Sequence, residues 1–163
     1  MKTLTLKNSF FIDIDPQNGI IGLTSWLAKQ MLHGPASRNR TRFVKLVSDR
    51  LNEIDKEIQK LREECSAKDK KGNTIYFDKD GKETTEKEKA VRFKIEDQKR
   101  FNEEWEKYMQ ENYVIDVTPA TKDIVYGVRD IVLNTMEEFS GAMAQRYDQW
   151  CEAFESISEQ KES

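Results

Sequence analysis

Val47, Leu51, Ile54, Ile58, Leu61 and Cys65 recur at spacings of 4, 3, 4, 3 and 4, and Phe43 extends the series one turn earlier. Almost every position between them is charged or polar. That period places the apolar groups on one narrow stripe of a helix. A helix over residues 37–66 runs roughly 45 Å at 1.5 Å per residue. Such a helix cannot bury its stripe alone, so the chain must supply or recruit a partner for it.

A partner is found further along the chain. Val91, Ile95, Gln98, Phe101, Trp105 and Tyr108 repeat the 3–4 spacing, which predicts a return helix over residues 86–112. Between the two stretches lie Lys71-Gly72-Asn73 and Asp78-Lys79-Asp80-Gly81, both turn signals, flanking Thr74, Ile75, Tyr76 and Phe77. The expected arrangement is a long antiparallel helix pair with a small β-hairpin near residues 74–84 at its tip.

The flanks read differently. Leu4 and Leu6 alternate with polar residues, and Phe10 to Ile14 is rich in strand formers, so residues 2–15 are expected to be extended up to Pro16. After Asn18-Gly19, Ile20, Leu23, Leu27 and Met31 share one helical face with Trp26 beside it, and that helix should stop near His33-Gly34-Pro35. Tyr113 to Val117 reads as a strand. Thr118 then reads as an N-cap with Pro119 at the first helical position. Ile124, Val128, Ile131 and Val132 line the helix that follows. Beyond a break at Ser140-Gly141, Met143, Tyr147, Trp150, Phe154 and Ile157 form a last apolar face, and the tail after Ser158 is polar and should fray. The fold class is therefore mostly α, α+β in detail. One domain is expected over residues 1–163, with 37–112 a projecting helical hairpin and 1–36 plus 113–158 packed at its base.

Charged residues make up 35% of the chain, against about a quarter in an ordinary domain, as long solvated helices require. Three Trp, eight Phe and five Tyr give more burial potential than a disordered chain carries. A net charge of −3 argues against a wholly basic nucleic-acid binder. No apolar run is long enough for a signal peptide or a membrane span, and a cytoplasmic location is expected. Cys65 and Cys151 lie far apart without CxxC spacing, so two reduced thiols are expected.

The order of several segments resembles a family of small uncharacterised proteins of phages and prophages of Gram-positive bacteria. The residues that carry the likeness are Ser37-Arg38-Asn39-Arg40-Thr41-Arg42-Phe43, Lys68-Asp69-Lys70-Lys71-Gly72-Asn73 with the second Asp-Gly turn, and Phe139-Ser140-Gly141 followed by Ala144, Tyr147-Asp148, Cys151 and Phe154-Glu155. Together they span most of residues 30–155. The resemblance implies a phage or prophage origin, and with it a place in the host-cell cytoplasm or on the virion. It implies no catalytic residues.

Few residues carry recognisable chemistry. His33 is the only histidine, which removes His-based triads and multi-His metal sites, and its place before Gly34-Pro35 marks a helix end. P-loop, GxGxxG, GxSxG and HExxH patterns are absent. Asp78-Lys79-Asp80-Gly81 fails as a calcium loop, because Tyr76 and Lys87 fall where the terminal carboxylates belong, and a tight turn is the better reading. Asp13 and Asp15 lie two apart on a segment read as extended, so both face one side, yet nothing nearby completes a Mg²⁺ site. No enzyme activity, cofactor or metal is expected.

Binding candidates remain. Arg38, Arg42 and Lys45 fall at i, i+4 and i+7, with Arg40 turned away, and could grip phosphates or an acidic protein surface. Ion pairs with neighbouring Glu residues are the simpler reading. Tyr76 and Phe77 are unusually apolar for a hairpin tip. Strand alternation should point at least one ring away from the local packing surface as a partner anchor, and the alternative is that both rings fold back onto the ends of the long helices. Trp105, Tyr147, Trp150 and Phe154 are expected in the core, an exposed subset being a natural partner anchor. A helical hairpin encloses little volume for an active site. The expected function is thus a phage-encoded, non-enzymatic protein-binding module that occupies or modulates a host or phage protein complex, inhibition of host antiviral defence included. A virion structural or assembly role, and nucleic-acid binding through Arg38–Lys45, are the alternatives. A homo-oligomer is open, and no membrane contact is expected.

Overall fold

The carbonyl of His33 accepts the Ser37 N–H at 2.8 Å and starts the longest element of the chain, a 32-residue helix that runs uninterrupted from Gly34 to Cys65. Pro35 sits in its first turn, where a missing N–H costs nothing. His33 is thus a helix-end residue of this helix, not of the one before. The structure is a computed structural model describing residues 2–159, and in chain order it comprises β1 (Lys2–Lys7), α1 (Leu23–Lys29), α2 (Gly34–Cys65), β2 (Tyr76–Phe77), β3 (Glu83–Thr84), β4 (Arg92–Phe93), α3 (Gln98–Met109), β5 (Asn112–Val117), α4 (Lys122–Leu133), α5 (Gly141–Glu155) and β6 (Ser158–Glu159). It is mostly helical with small antiparallel sheets, the class the periodicities predict. No helix among the described residues is long and apolar enough to cross a membrane.

The chain divides into two compact units, residues 1–51 with 110–163 and residues 52–109. The boundary falls inside α2 and not at residue 37, because Phe43 and Val47 are fully buried with the first unit, where the Phe43 ring lies 6.4 Å from that of Phe154.

In the first unit β1 is the central strand of the order β5-β1-β6, antiparallel to both neighbours. Leu4 pairs with Ile115 and Leu6 with Tyr113; Leu4, Leu6 and Ile115 are buried while Thr5 and Val114 are exposed, the alternation of a half-buried sheet. The tail expected to fray after Ser158 instead adds β6 to this sheet, and residues 160–163 lie outside the described ones. Residues Asn8–Phe11 form a 3-10 turn rather than continuing the strand, which buries both Phe10 and Phe11. Gly22 is required where α1 begins, because a Cβ there would collide with the Phe11 carbonyl. The core gathers Leu23, Trp26 and Leu27 of α1, Val125, Val128 and Val132 of α4, and Trp150 and Phe154 of α5, with the Trp26 and Trp150 rings 5.8 Å apart.

Two boundaries here differ from the sequence reading. Lys122, not Pro119, begins α4, since Thr118 and Thr121 close a turn: Thr121 Oγ1 accepts the Thr118 N–H at 2.8 Å, and the Lys122 N–H donates to the Thr118 carbonyl at 2.8 Å. The buried face of α4 is also rotated, with Val125 inside and Ile124 and Ile131 only half-buried.

In the second unit the end of α2 and α3 form the expected antiparallel pair, on a shorter return helix. Arg100 meets Glu64 at 3.1 Å, and the Cys65 carbonyl accepts the N–H groups of Glu96 and Asp97. Further along, Ile58 and Leu61 of α2 face Trp105 and Tyr108 of α3 across a shallow cleft of about 260 Å³. Residues 86–97 do not form an α-helix. They contain a 3-10 turn at Lys87–Lys89 and strand β4, so the expected hairpin becomes a three-stranded sheet of order β3-β2-β4. The Val91 N–H donates to the Phe77 carbonyl at 2.8 Å and Lys94 to Ile75 at 3.0 Å, while the Tyr76 and Phe93 rings meet at 5.0 Å. Cross-strand packing of that kind outweighs a helical spacing of two β-branched residues.

Candidate functional site

The basic set at the start of α2 separates into two roles. Arg40 is half-buried, and its guanidinium donates to the carbonyls of Leu27, at 3.1 Å, and Gln30 and to the Ser37 hydroxyl, so it ties the end of α1 to the start of α2. Arg38, Arg42 and Lys45 are exposed and make no ion pair among the described residues. The simpler reading of a paired charge set therefore does not hold.

The hairpin aromatics are less open than their position suggests. Tyr76 is buried against Phe93, and Phe77 lies half-buried beneath Arg92, whose guanidinium carbon sits 4.4 Å from the ring centroid. Each ring thus has an intrachain contact.

Three of the carboxylates considered for metal binding, Asp13, Asp15 and Asp78, receive protein donors. Asp13 accepts the Gly22 N–H at 2.7 Å and the Ser25 hydroxyl at 3.1 Å, which fixes the start of α1, and Asp15 accepts the Asn18 side-chain amide at 2.7 Å. Their segment is a bend closed by an Asp15–Ile20 bridge, not the extended run expected. Asp78 accepts the N–H groups of Asp80 and Lys82, both at 2.9 Å, around Gly81 at φ 75°, the tight turn read from the sequence. Asp69 does the same for Lys71 and Asn73, and those donors, Asn73 first, hold its carboxyl below the usual carboxylate range. No group of three or more His, Cys, Asp or Glu that could hold a metal assembles among the described residues.

Both cysteines are free thiols. Burial pushes the Cys65 thiol pKa up, with Arg100 opposing, and burial likewise raises Cys151. Of the large aromatics, Trp150 and Phe154 are fully buried, whereas Trp105 and Tyr147 are half-buried. The Tyr147 hydroxyl donates to the Val132 carbonyl and its ring stacks on Phe139 at 4.4 Å.

Two depressions stand out, neither anticipated as a set. In the first unit a groove of about 480 Å³ lies between the start of α2, at Ala36 and Asn39, and α4, at Gly127 and Ile131. Met31 and Met136 also line it and are 99% and 95% exposed. The sequence places Met31 on the face of α1, but the helix ends at Lys29 and the extended backbone of Gln30 turns Met31 outward. In the second unit a cleft of about 530 Å³ is lined by Arg62, Tyr76, Lys87, Val91, Arg92 and Phe93 among others. These residues come from three segments, so no spacing in the sequence brings them together. Comparison of the chain with protein-family models, curated proteins and solved structures finds no match.

Proposed function

We propose that this chain is a non-enzymatic protein-binding module, encoded by a phage or prophage, that occupies or modulates a host or phage protein complex. The observation that carries the reading is the pair of exposed methionines on the groove of the first unit. An unbranched thioether left almost wholly in water adds nothing to folding. On a partner it contributes roughly 25 cal/mol per Å² of apolar surface covered, and its flexibility suits contact with a surface of another protein. The phage assignment rests on the resemblance of residues 30–155. Inhibition of an antiviral defence complex is the kind of task such an occupying module performs.

The test is affinity purification with the tagged full chain from infected or lysogenic cells, beside the double variant Met31→Ser, Met136→Ser. We expect a protein retained by the native chain to be lost at least tenfold by the variant while the melting temperature stays unchanged, since both side chains are solvent-exposed. A native chain that retains no protein, or a variant that retains it equally, overturns the reading. A second reading, nucleic-acid binding, is favoured by one observation, the unpaired Arg38, Arg42 and Lys45 on one helical face. It requires binding that weakens steeply with salt and with reversal of those charges.

A further inference from the structure

We infer that the cleft in the second unit is a docking site for an acidic peptide segment that carries an apolar side chain. Every charged residue lining it is a cation: Arg62 from α2, Lys87 from the 3-10 turn and Arg92 from β4. This occurs in a chain with more acidic than basic residues, 30 against 27. Of the carboxylates nearby in sequence, Glu86 pairs with Lys89 at 3.0 Å, Glu83 with Lys94, and Glu64 with Arg100 at 3.1 Å, and neither Glu63 nor Glu88 lines the cleft. Arg62 and Lys87 make no ion pair among the described residues. Arg92 is held over the Phe77 ring at 4.4 Å, a contact that uses the face of the guanidinium and leaves its N–H edges available to a carboxylate. The site thus presents unneutralised positive charge that a ligand of opposite sign would complement.

The floor and edge of the cleft narrow the ligand to a peptide. Tyr76 and Phe93 form an apolar floor, and Val91 stands on the rim 67% exposed, an apolar group that only a bound partner would cover. In the sheet order β3-β2-β4, strand β4 is an edge, and it supplies both Arg92 and Phe93 to the cleft. An edge strand flanked by cations and an apolar floor fits an extended chain with alternating acidic and apolar side chains. Single-stranded nucleic acid fits less well, because base stacking needs open ring faces. Tyr76 is only 9% exposed, and Phe77 is covered by Arg92. The inference rests on the reading of the chain as a protein-binding module, and names the chemistry of one surface its partner would present.

The test is fluorescence anisotropy on the full chain with a fluorescein-labelled ten-residue peptide of Glu and Asp carrying two central Leu residues. The comparison probes are the same peptide with Lys for each acid and a ten-nucleotide oligothymidylate. Saturable binding of the acidic peptide is expected, weakened at least tenfold by Arg62→Glu with Lys87→Glu. The control Lys70→Glu with Lys71→Glu, on an exposed turn, should stay within twofold of the native chain, and circular dichroism melts check that both double variants fold. Absence of saturable binding, equal binding by the cleft variant and the control, or tighter binding of the oligothymidylate than of the acidic peptide overturns the proposal. The two readings fail separately. A chain that captures a Met31- and Met136-dependent protein but binds no acidic peptide loses the cleft and keeps the module, whereas cleft-dependent peptide binding without any captured protein supports the cleft and overturns the module.

Discussion

Arg146 is a charged side chain only 7% exposed, and it faces backbone rather than a carboxylate. Its guanidinium donates to the carbonyls of Ser9, at 2.8 Å, Ile21, at 2.9 Å, and Ile12. Those carbonyls belong to the irregular chain between β1 and α1, where no ladder provides donors, so one side chain does for this segment what a strand partner does elsewhere. Burial pushes the Arg146 pKa down, with Asp13 opposing, from an ordinary value so high that the group stays charged throughout the neutral range. Arg146→Met should leave buried carbonyls unpaired and cost about 3 kcal/mol in urea denaturation. Arg146→Lys should recover little of it, because a single ammonium cannot span the planar fork. Native stability in the Lys variant would show that charge, and not the fork, holds the segment.

At the scale of elements, the region from Glu86 to Asp97 shows how a helical spacing is overruled. Val91 and Ile95 fit the period of the return helix, yet Val91 is 67% exposed beside β4 and Ile95 bridges to Ser66. The apolar stripe of α2 in the second unit is met instead by a shorter α3, with Ile58 and Leu61 facing Trp105 and Tyr108. Ile54 is 1% exposed and Ile58 8% exposed, so the stripe itself is core. Ile54→Asp should therefore bury an unpaired carboxylate and cost roughly 3 kcal/mol or more. Val91→Asp should change stability by no more than about 0.5 kcal/mol, as for other exposed sites. Thermal melts of the two variants decide the assignment, and equal losses in both would mean that residues 86–97 pack as a helix after all.

At the scale of the molecule, the first unit is assembled from chain segments on either side of the second, 1–51 and 110–163. Its closure depends on β1, which pairs along its whole length with β5, more than a hundred residues away in sequence. Leu4 is fully buried at the middle of that pairing, opposite Ile115. Leu4→Asp should consequently remove hydrogen-exchange protection from β5 as well as from β1, since a strand without its partner exposes its N–H groups. Protection lost in β1 alone would show that β5 is held by something other than this sheet.

How much of this was legible follows from which forces act locally. The 4-3-4 stripe from Phe43 to Cys65 fixed a helix of the observed length within a few residues, because periodic burial is written in adjacent turns. The Asp78–Gly81 turn was equally legible, its Asp and Gly being set by backbone hydrogen bonds and a positive φ within four residues. The alternation of Leu4 and Leu6 marked β1, though the expected extended run overshot its end at Lys7, and the strand read at Tyr113–Val117 matches β5 to within one residue. Tertiary structure alone decided the rest. Whether Val91 joined a helix or a sheet rim depended on Tyr76 and Phe93 meeting across strands, a contact seventeen residues apart that no local spacing encodes. Whether Met31 continued a helix face or stood in water depended on where Arg40 tied down Leu27 and Gln30. The two candidate surfaces were beyond the sequence for the same reason: a groove or a cluster of like charges is made by segments that only the packed core brings together.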